Sequence, residues 1–208
     1  MNVKRQDLKR ESPKPVRLEA ALFALGRLVA VYAAGALYTS ASQNRPNVAL
    51  FNRSWYNRAG VEHVMKFCSR AEYESFLKQV LPFEHMLIGS GIQIMKYYLD
   101  ISRREQKKRL KARAADPLRQ WKESPIDCVA LEHWDDYTKA RNKMLERSSN
   151  AESPWIVVKA DNKHEARLNV IRDLLTRLDC PGGRKHLAHP DRDIVFEYSR
   201  DQFNQLAE

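Results

Sequence analysis

Apolar and polar positions follow two different periods along most of the chain, and together they predict short buried strands separated by amphipathic helices. Short apolar runs at residues 47–52, 92–99 and 155–160 are bounded by polar or turn-forming residues, as buried strands are. Between these runs, apolar residues recur three and four positions apart, as in helices that pack one face on a core. Strands that alternate with helices predict an α/β fold with a parallel sheet, whose ligands bind at the carboxyl ends of the strands.

Capping residues mark where two of the helices begin. Ser69 with Glu72, and Asn162 with Glu165, have the spacing in which polar side chains satisfy the first backbone N–H groups of a helix. Pro82 is expected to kink or restart the first helix. The second helix is predicted to turn an apolar stripe inward, made of Leu168, Ile171, Leu174, Leu175 and Leu178.

A third capping pair, Ser102 and Glu105, begins a helix of different character. Between residues 103 and 113 the only large apolar side chain is Leu110, so this helix has no stripe to bury and must face solvent or cover something polar. A second helix is predicted from about residue 129 to 147, giving a helical hairpin inserted between two strands. Such insertions often act as lids that bring Arg and Lys to a transferred phosphoryl group.

The formal net charge of +10 is concentrated in two segments of the 208-residue chain. Residues 103–122 contain nine basic and two acidic residues, and residues 1–17 contain six basic and two acidic ones, so the other 171 residues are nearly neutral at −1. This distribution favours a localised anionic partner, although a solvated surface helix is the simpler alternative. A hydrophobic fraction of 43% indicates a folded domain.

Cysteine usage and the first apolar stretch both bear on location. Cys68, Cys128 and Cys180 are too few and too widely spaced for a disulfide framework, which favours the cytoplasm. The apolar stretch at residues 18–38 superficially resembles a secretion signal, but Arg27 interrupts it. We therefore expect a core or dimer helix there and no membrane span.

Several longer motifs occur together in one order. They lie at residues 50–62 (LFNRSWYNRAGVE), 102–106 (SRREQ), 113–117 (RAADP), 121–127 (WKESPID), 134–137 (WDDY) and 154–155 (PW). In this order they closely resemble the polyphosphate kinase 2 family, from about residue 47 to residue 198. The resemblance implies a P-loop kinase-like fold and magnesium-dependent transfer of phosphoryl groups between inorganic polyphosphate and nucleoside di- or triphosphates such as ADP or GDP. It also implies a homo-oligomer, a dimer or tetramer, without nucleic-acid or membrane partners.

The resemblance assigns roles to individual residues. Asn52 occupies the Walker B-like position, where its carbonyl could order a magnesium-bound water without adding charge. Asn52 is expected to be catalytic in that position. Arg53, Arg109 and Arg113 are expected to be catalytic because their cations offset charge on the transferred phosphoryl group. The residues expected to bind substrate phosphates are Asn57, Arg58, Arg103, Arg104, Lys107 and Lys122.

One motif of the family does not occur in this sequence. Relatives carry a G-x-x-x-x-G-K loop before the F-N-R-S-W segment, whereas none of the seven glycines here precedes a lysine. Residues 1–46 do not resemble the family, as though the first strand and its loop were truncated or replaced. Without the loop, turnover is expected to fall by several orders of magnitude. Trp55, Tyr56 and Trp121 are expected to pack rather than to touch substrate.

The predicted organisation follows from these boundaries. A disordered basic leader spans residues 1–17, an atypical apolar segment spans 18–46, an α/β domain spans 47–180 with its lid at about 102–147, and a tail spans 181–208. Two alternative functions stay open, a non-catalytic polyphosphate-binding or oligomer-partner subunit and a nucleic-acid-binding protein. The second explains the charge but not the motifs, because the basic run has little aromatic interleaving on which bases could stack.

Overall fold

The computed structural model describes residues 29–33 (as a backbone strand), 49–51, 54–118, 129, 131–178 and 189–207. Their strands form one five-stranded sheet in the order β2-β1-β3-β4-β5. The strands are β1 (Val29–Ala33), β2 (Ala49–Phe51), β3 (Gln93–Asp100), β4 (Trp155–Lys159) and β5 (Val195–Glu197). The three strands predicted at residues 47–52, 92–99 and 155–160 are therefore all observed.

The helices are α1 (Val61–Val64), α2 (Arg70–Gly89), α3 (Arg103–Ala114), α4 (Trp134–Ser148) and α5 (Lys163–Arg177). Two 3-10 helices, Trp55–Arg58 and Arg200–Gln205, flank this series. Helices α3 and α4 lie within the range predicted for the lid, about 102–147, apart from the last residue of α4. Residues 119–128 between them lie outside the described residues, and the role as a lid stays a prediction. Residues 1–17 and the first part of the tail, residues 181–188, also lie outside the described residues.

The α/β class is confirmed, but the sheet is mixed where a parallel sheet was predicted. Strands β3 and β4 are parallel, and α3 and α4 lie between them in sequence as the crossover that a parallel pair requires. Strand β1 is antiparallel to both β2 and β3, and β5 is antiparallel to β4. The helix expected within residues 18–38 is also wrong over Val29–Ala33, which is a strand. A short apolar run does not distinguish a buried strand from a buried helix by its periodicity.

Side chains of β3 and β4 alternate between two hydrophobic clusters on opposite faces of the sheet. One cluster joins Tyr98 and Trp155 to α2 and α4, and the other joins Tyr97 and Ile156 to α5. Both faces are therefore covered, which explains why β3 and β4 are apolar almost throughout. To the first cluster, α2 and α4 contribute the buried side chains of Tyr73, Leu77, Val80, Met144 and Leu145.

Helix α2 begins as the sequence predicts, at a complete capping box. Ser69 Oγ accepts a hydrogen bond from Glu72 N (3.2 Å), and Glu72 Oε2 accepts one from Ser69 N (2.7 Å). Pro82 lies inside the helix, which continues to Gly89, so the predicted restart does not occur.

Helix α5 also begins at its predicted cap, but only part of its predicted stripe faces inward. Asn162 Oδ1 accepts from His164 N at 3.1 Å. Leu174 and Leu178 pack against the cluster around Tyr97 as predicted, whereas Leu168 and Ile171 are 48% and 54% exposed. The helix also buries Asn169 and Asp173, which sequence hydrophobicity alone places outside. Asp173 tolerates burial because Tyr97 OH donates to its carboxylate at 2.6 Å. Within the described residues no helix has both the length and the apolar character to span a membrane.

Candidate active site

The carboxyl ends of the two parallel strands lie side by side and are tied together. Asp100 of β3 is paired with Lys159 of β4, and Ala160 N donates to Asp100 O at 2.7 Å. Two residues past the end of each strand, Ser102 N and Ser102 Oγ donate to the two carboxylate oxygens of Asp161, at 2.8 and 2.7 Å. These bonds set α3 over the edge of the sheet where ligands of α/β folds bind.

Helix α3 begins at Ser102, whose hydroxyl accepts from Glu105 N at 3.2 Å, as the capping pair predicts. The Glu105 carboxylate points along the helix and accepts from Arg109 Nε at 2.8 Å. Glu105 is the only acidic residue of α3, and its side chain is half-buried. The outer surface of α3 is therefore cationic, and its five exposed basic residues are Arg103, Arg104, Lys107, Lys108 and Lys111. We call these five residues the basic face.

Arg109 lies on the opposite side of α3 and clamps the helix to the sheet. Its Nη2 donates to the carbonyl oxygens of Ala160 (2.6 Å) and Asp161 (3.0 Å), in addition to the ion pair with Glu105. The structure thus shows Arg109 positioning the basic face. Arg113, one turn further along, is half-buried on the same side. The catalytic roles of both residues stay predictions.

The segment that contains Asn57 and Arg58 is anchored from below by its aromatic neighbours. Tyr56 is fully buried and donates from its hydroxyl to Glu84 Oε1 at 2.8 Å, while Trp55 Nε1 donates to the same oxygen at 3.3 Å. The expectation that Trp55 and Tyr56 pack is confirmed. Asn57 and Arg58 are half-buried. Arg58 forms an ion pair with Glu62, and its hydrogen bond to that carboxylate raises the pKa of Arg58.

A buried ion pair completes this anchor, and sequence analysis missed it. Lys96 Nζ donates to Glu84 Oε2 at 2.7 Å and to Ser148 O at 2.7 Å, and both charged side chains are 0% exposed. Burial lowers the pKa of Lys96, against the attraction of Glu84. Two signals could have indicated the pair. Lys96 interrupts an apolar strand, and Glu84 continues the inward stripe of α2 four residues after Val80.

Some predicted site residues lie outside the described residues, namely Asn52, Arg53 and Lys122, together with Trp121. Of the described carboxylates, Asp100 lies at the end of β3, but its two oxygens accept from Arg141 Nη1 (3.0 Å) and Ala207 N (2.6 Å). No group of three or more His, Cys, Asp or Glu residues able to hold a metal occurs in the described part of the chain. The described residues therefore offer no preformed cluster of ligands for magnesium, an ion that proteins usually bind through one or two carboxylates together with substrate phosphates.

Comparison with known proteins places this geometry in a family. The family model described as polyphosphate kinase 2 matches residues 38–185. An ADP-polyphosphate phosphotransferase of Pseudomonas aeruginosa is 53% identical over 156 residues, which cover 74% of this chain and 51% of that protein. A GDP-polyphosphate phosphotransferase of the same species is 48% identical over 154 residues, which cover 74% of this chain and 43% of that protein.

Solved structures agree with these relatives. The crystal structure of polyphosphate kinase 2 from Arthrobacter aurescens is 38% identical and superposes with a TM-score of 0.58, over 68% of this chain and 48% of that one. The chain thus spans about half the length of the relatives it matches.

Proposed function

This chain belongs to the polyphosphate kinase 2 family, as its motifs predicted, and we propose that it acts in phosphoryl transfer between inorganic polyphosphate and a nucleoside diphosphate such as ADP or GDP. The observation that supports this function is the basic face of α3, held over the carboxyl edge of β3 and β4 by Ser102 and Arg109. A polyphosphate chain is a run of closely spaced negative charges, and the basic face offers a matching run of cations.

The described residues contribute binding and electrostatics rather than covalent chemistry. In phosphoryl transfer, catalysis consists mainly of positioning the reactants and stabilising charge on the transferred group. Arg103, Arg104 and Lys107 are exposed and would bind the polyphosphate chain. Arg113 would stabilise charge near the strand ends, while Arg109 keeps the helix in place through the backbone of Ala160.

Several further properties belong to the same proposal. Magnesium would be carried mainly by the phosphates of the substrates, with Asn52 ordering one of its waters. The chain would act in the cytoplasm as a homo-oligomer. The domain at residues 47–180 would form the folded body, with its lid at about 102–147 between a leader and a tail.

A non-catalytic polyphosphate-binding subunit is the second candidate. It is favoured by one specific combination, an intact basic face in a sequence of 208 residues that contains no G-x-x-x-x-G-K loop. That loop supplies backbone N–H groups and a lysine to substrate phosphates. For these 208 residues we therefore expect polyphosphate binding to persist and turnover to fall by several orders of magnitude.

A coupled assay of ATP formation from ADP and polyphosphate, run beside a binding titration, tests both candidates. Slow but measurable conversion that requires polyphosphate supports the transferase. Salt-sensitive binding with no conversion selects the non-catalytic subunit. Conversion at ordinary kinase rates would refute the expected loss of turnover, and failure to bind polyphosphate at low salt would refute both functions.

A further inference from the structure

A cavity of about 500 Å³ lies beside the basic face, between α3 and α5. Its floor is apolar and comes from the end of β3, where Tyr97, Leu99 and Ile101 line it. This volume is in the usual range for sites that hold small organic ligands. The cavity lies on the other side of α3 from the five exposed cations, so it is separate from the surface proposed to bind polyphosphate.

Two helical stripes form the walls of this cavity. Helix α3 contributes Gln106, Leu110 and Arg113, and α5 contributes Val170 and Ile171 among others. In each helix these residues recur at the spacing that places side chains on one face. Ile171 is apolar but 54% exposed, because it lies at the mouth of the cavity. The walls thus present apolar side chains from both helices to the cavity.

Gln106 gives the cavity a specific polar requirement. Its side chain is 3% exposed, and its Oε1 accepts no hydrogen bond from the part of the chain that the structure describes. Buried side-chain acceptors in proteins are nearly always satisfied. Gln106 lines the cavity, so its side-chain oxygen can accept a hydrogen bond from a bound ligand. Such a ligand would carry an N–H or O–H donor on the part that lies in the apolar cavity.

The polar rim defines the other end of the ligand. Arg113, Lys163 and Arg167 all line the cavity, and the last two are exposed on the first turns of α5. Three cations at one opening favour an anionic group there. A nucleotide combines the three features that this cavity favours, namely a largely apolar body, an N–H donor on it and a phosphate anion.

We propose that this cavity binds the base of a nucleoside di- or triphosphate. The Gln106 carbonyl accepts a hydrogen bond from an exocyclic amine of the base, and the phosphates extend toward Arg113, Lys163 and Arg167. The inference rests on the proposed function, to which it adds the residues that recognise the nucleotide. It predicts selection for bases that carry an amine.

The first test compares ADP with purine riboside 5′-diphosphate, which lacks the exocyclic amine, by calorimetric titration of the 208-residue chain. We expect ADP to bind roughly 3- to 10-fold more tightly, the usual effect of one neutral hydrogen bond. In Gln106→Met the two nucleotides should bind equally. The melting temperature should not fall, because an unsatisfied acceptor has been replaced by an apolar side chain of similar size. A preference for ADP that persists in Gln106→Met would overturn the assignment.

A second pair of variants tests the location independently of that hydrogen bond. Val170→Phe fills the cavity, whereas Leu168→Phe places the same ring on the exposed side of the same helix. We expect Val170→Phe to weaken ADP binding at least ~10-fold and Leu168→Phe to leave it unchanged. Binding of inorganic tripolyphosphate should be unchanged in both variants.

The outcomes separate this inference from the function on which it rests. If wild-type protein binds tripolyphosphate but no nucleotide, or if Val170→Phe binds ADP normally, the cavity is not the nucleotide site while the polyphosphate interaction stands. If wild-type protein binds neither ligand, the proposed function fails as well. Loss of ADP affinity in Val170→Phe alone, with the amine preference abolished in Gln106→Met, supports the inference.

Discussion

The buried ion pair between Glu84 and Lys96 should be the most costly polar interaction to disrupt in the described structure. Both side chains are 0% exposed, and the Nζ–Oε2 distance is 2.7 Å. Lys96→Met would leave a buried carboxylate with the neutral donors of Trp55, Tyr56 and Ser153. Removing one partner of a buried pair typically costs about 3–5 kcal/mol, because the other charge is left uncompensated.

Glu84→Leu should cost more than Lys96→Met. It leaves the Lys96 ammonium with the Ser148 carbonyl at 2.7 Å, and it also deprives Tyr56 OH of its acceptor. Each buried donor that loses its partner adds about 1–3 kcal/mol. The total approaches the whole stability of a typical domain, about 5–15 kcal/mol. We therefore expect Glu84→Leu to fold poorly and Lys96→Met to be the measurable variant.

The double variant Glu84→Leu/Lys96→Met separates charge from packing. It removes both charges, so its cost should fall short of the sum of the single costs by at least ~3 kcal/mol. Urea unfolding followed by tryptophan fluorescence measures all three, since Trp55 and Trp155 lie close to the pair. Glu84→Gln, which keeps an acceptor for Tyr56, replaces Glu84→Leu in the cycle if the latter does not fold.

A surface ion pair of similar geometry provides the control. Lys143 Nζ lies 2.8 Å from Glu74 Oε1, but the two side chains are 40% and 33% exposed. Lys143→Met should therefore cost no more than ~1 kcal/mol. If Lys96→Met costs as little as this control, or if the single costs simply add, the reasoning about the buried pair is wrong.

Three further predictions concern the surface of the protein. Burial lowers the pKa of His63, and the charge of Lys143 adds to this effect. Below about pH 6.5 the unfolded state therefore binds more protons than the folded state. The free energy of unfolding should fall as the pH drops through that value. His63→Gln should flatten this part of a pH series of urea titrations, and an unchanged slope would contradict it. Ser69→Ala should cost about 1 kcal/mol in the same titration through loss of the cap, and no change would argue against the capping box. Arg103→Ala should lower the slope of log affinity for polyphosphate against log salt by ~0.7–0.9, whereas Lys78→Ala on α2 should not.

Features set by neighbouring residues were predictable from the sequence. The caps at Ser69, Ser102 and Asn162 are observed, because a short polar side chain reaches the backbone N–H groups two or three residues ahead whatever the rest of the fold does. The motif at residues 50–62 identified the family, and the structure shows that Tyr56 within it packs against the core.

Features set by distant pairing were not predictable from local pattern. Leu168 and Ile171 belong to the predicted helical stripe and are exposed, whereas Asp173 is buried and accepts a hydrogen bond from Tyr97 of β3, 76 residues away. The family resemblance assigned Arg109 a catalytic role, which stays a prediction. Its contact with the Ala160 carbonyl depends on where β4 ends, 51 residues away.

The division of α3 into two sides separates folding from binding. One side attaches the helix through Ser102, Glu105 and Arg109, using contacts in which charges are already compensated. The other side carries like charges four residues apart, such as Arg103 and Lys107, whose mutual repulsion costs a few tenths of a kcal/mol. An anion bound across them relieves that repulsion, and no attachment of the helix has to break for this to happen. Five basic residues therefore share one helix face, which we expect to stay available to a polyanion whether or not the rest of the site can transfer phosphate.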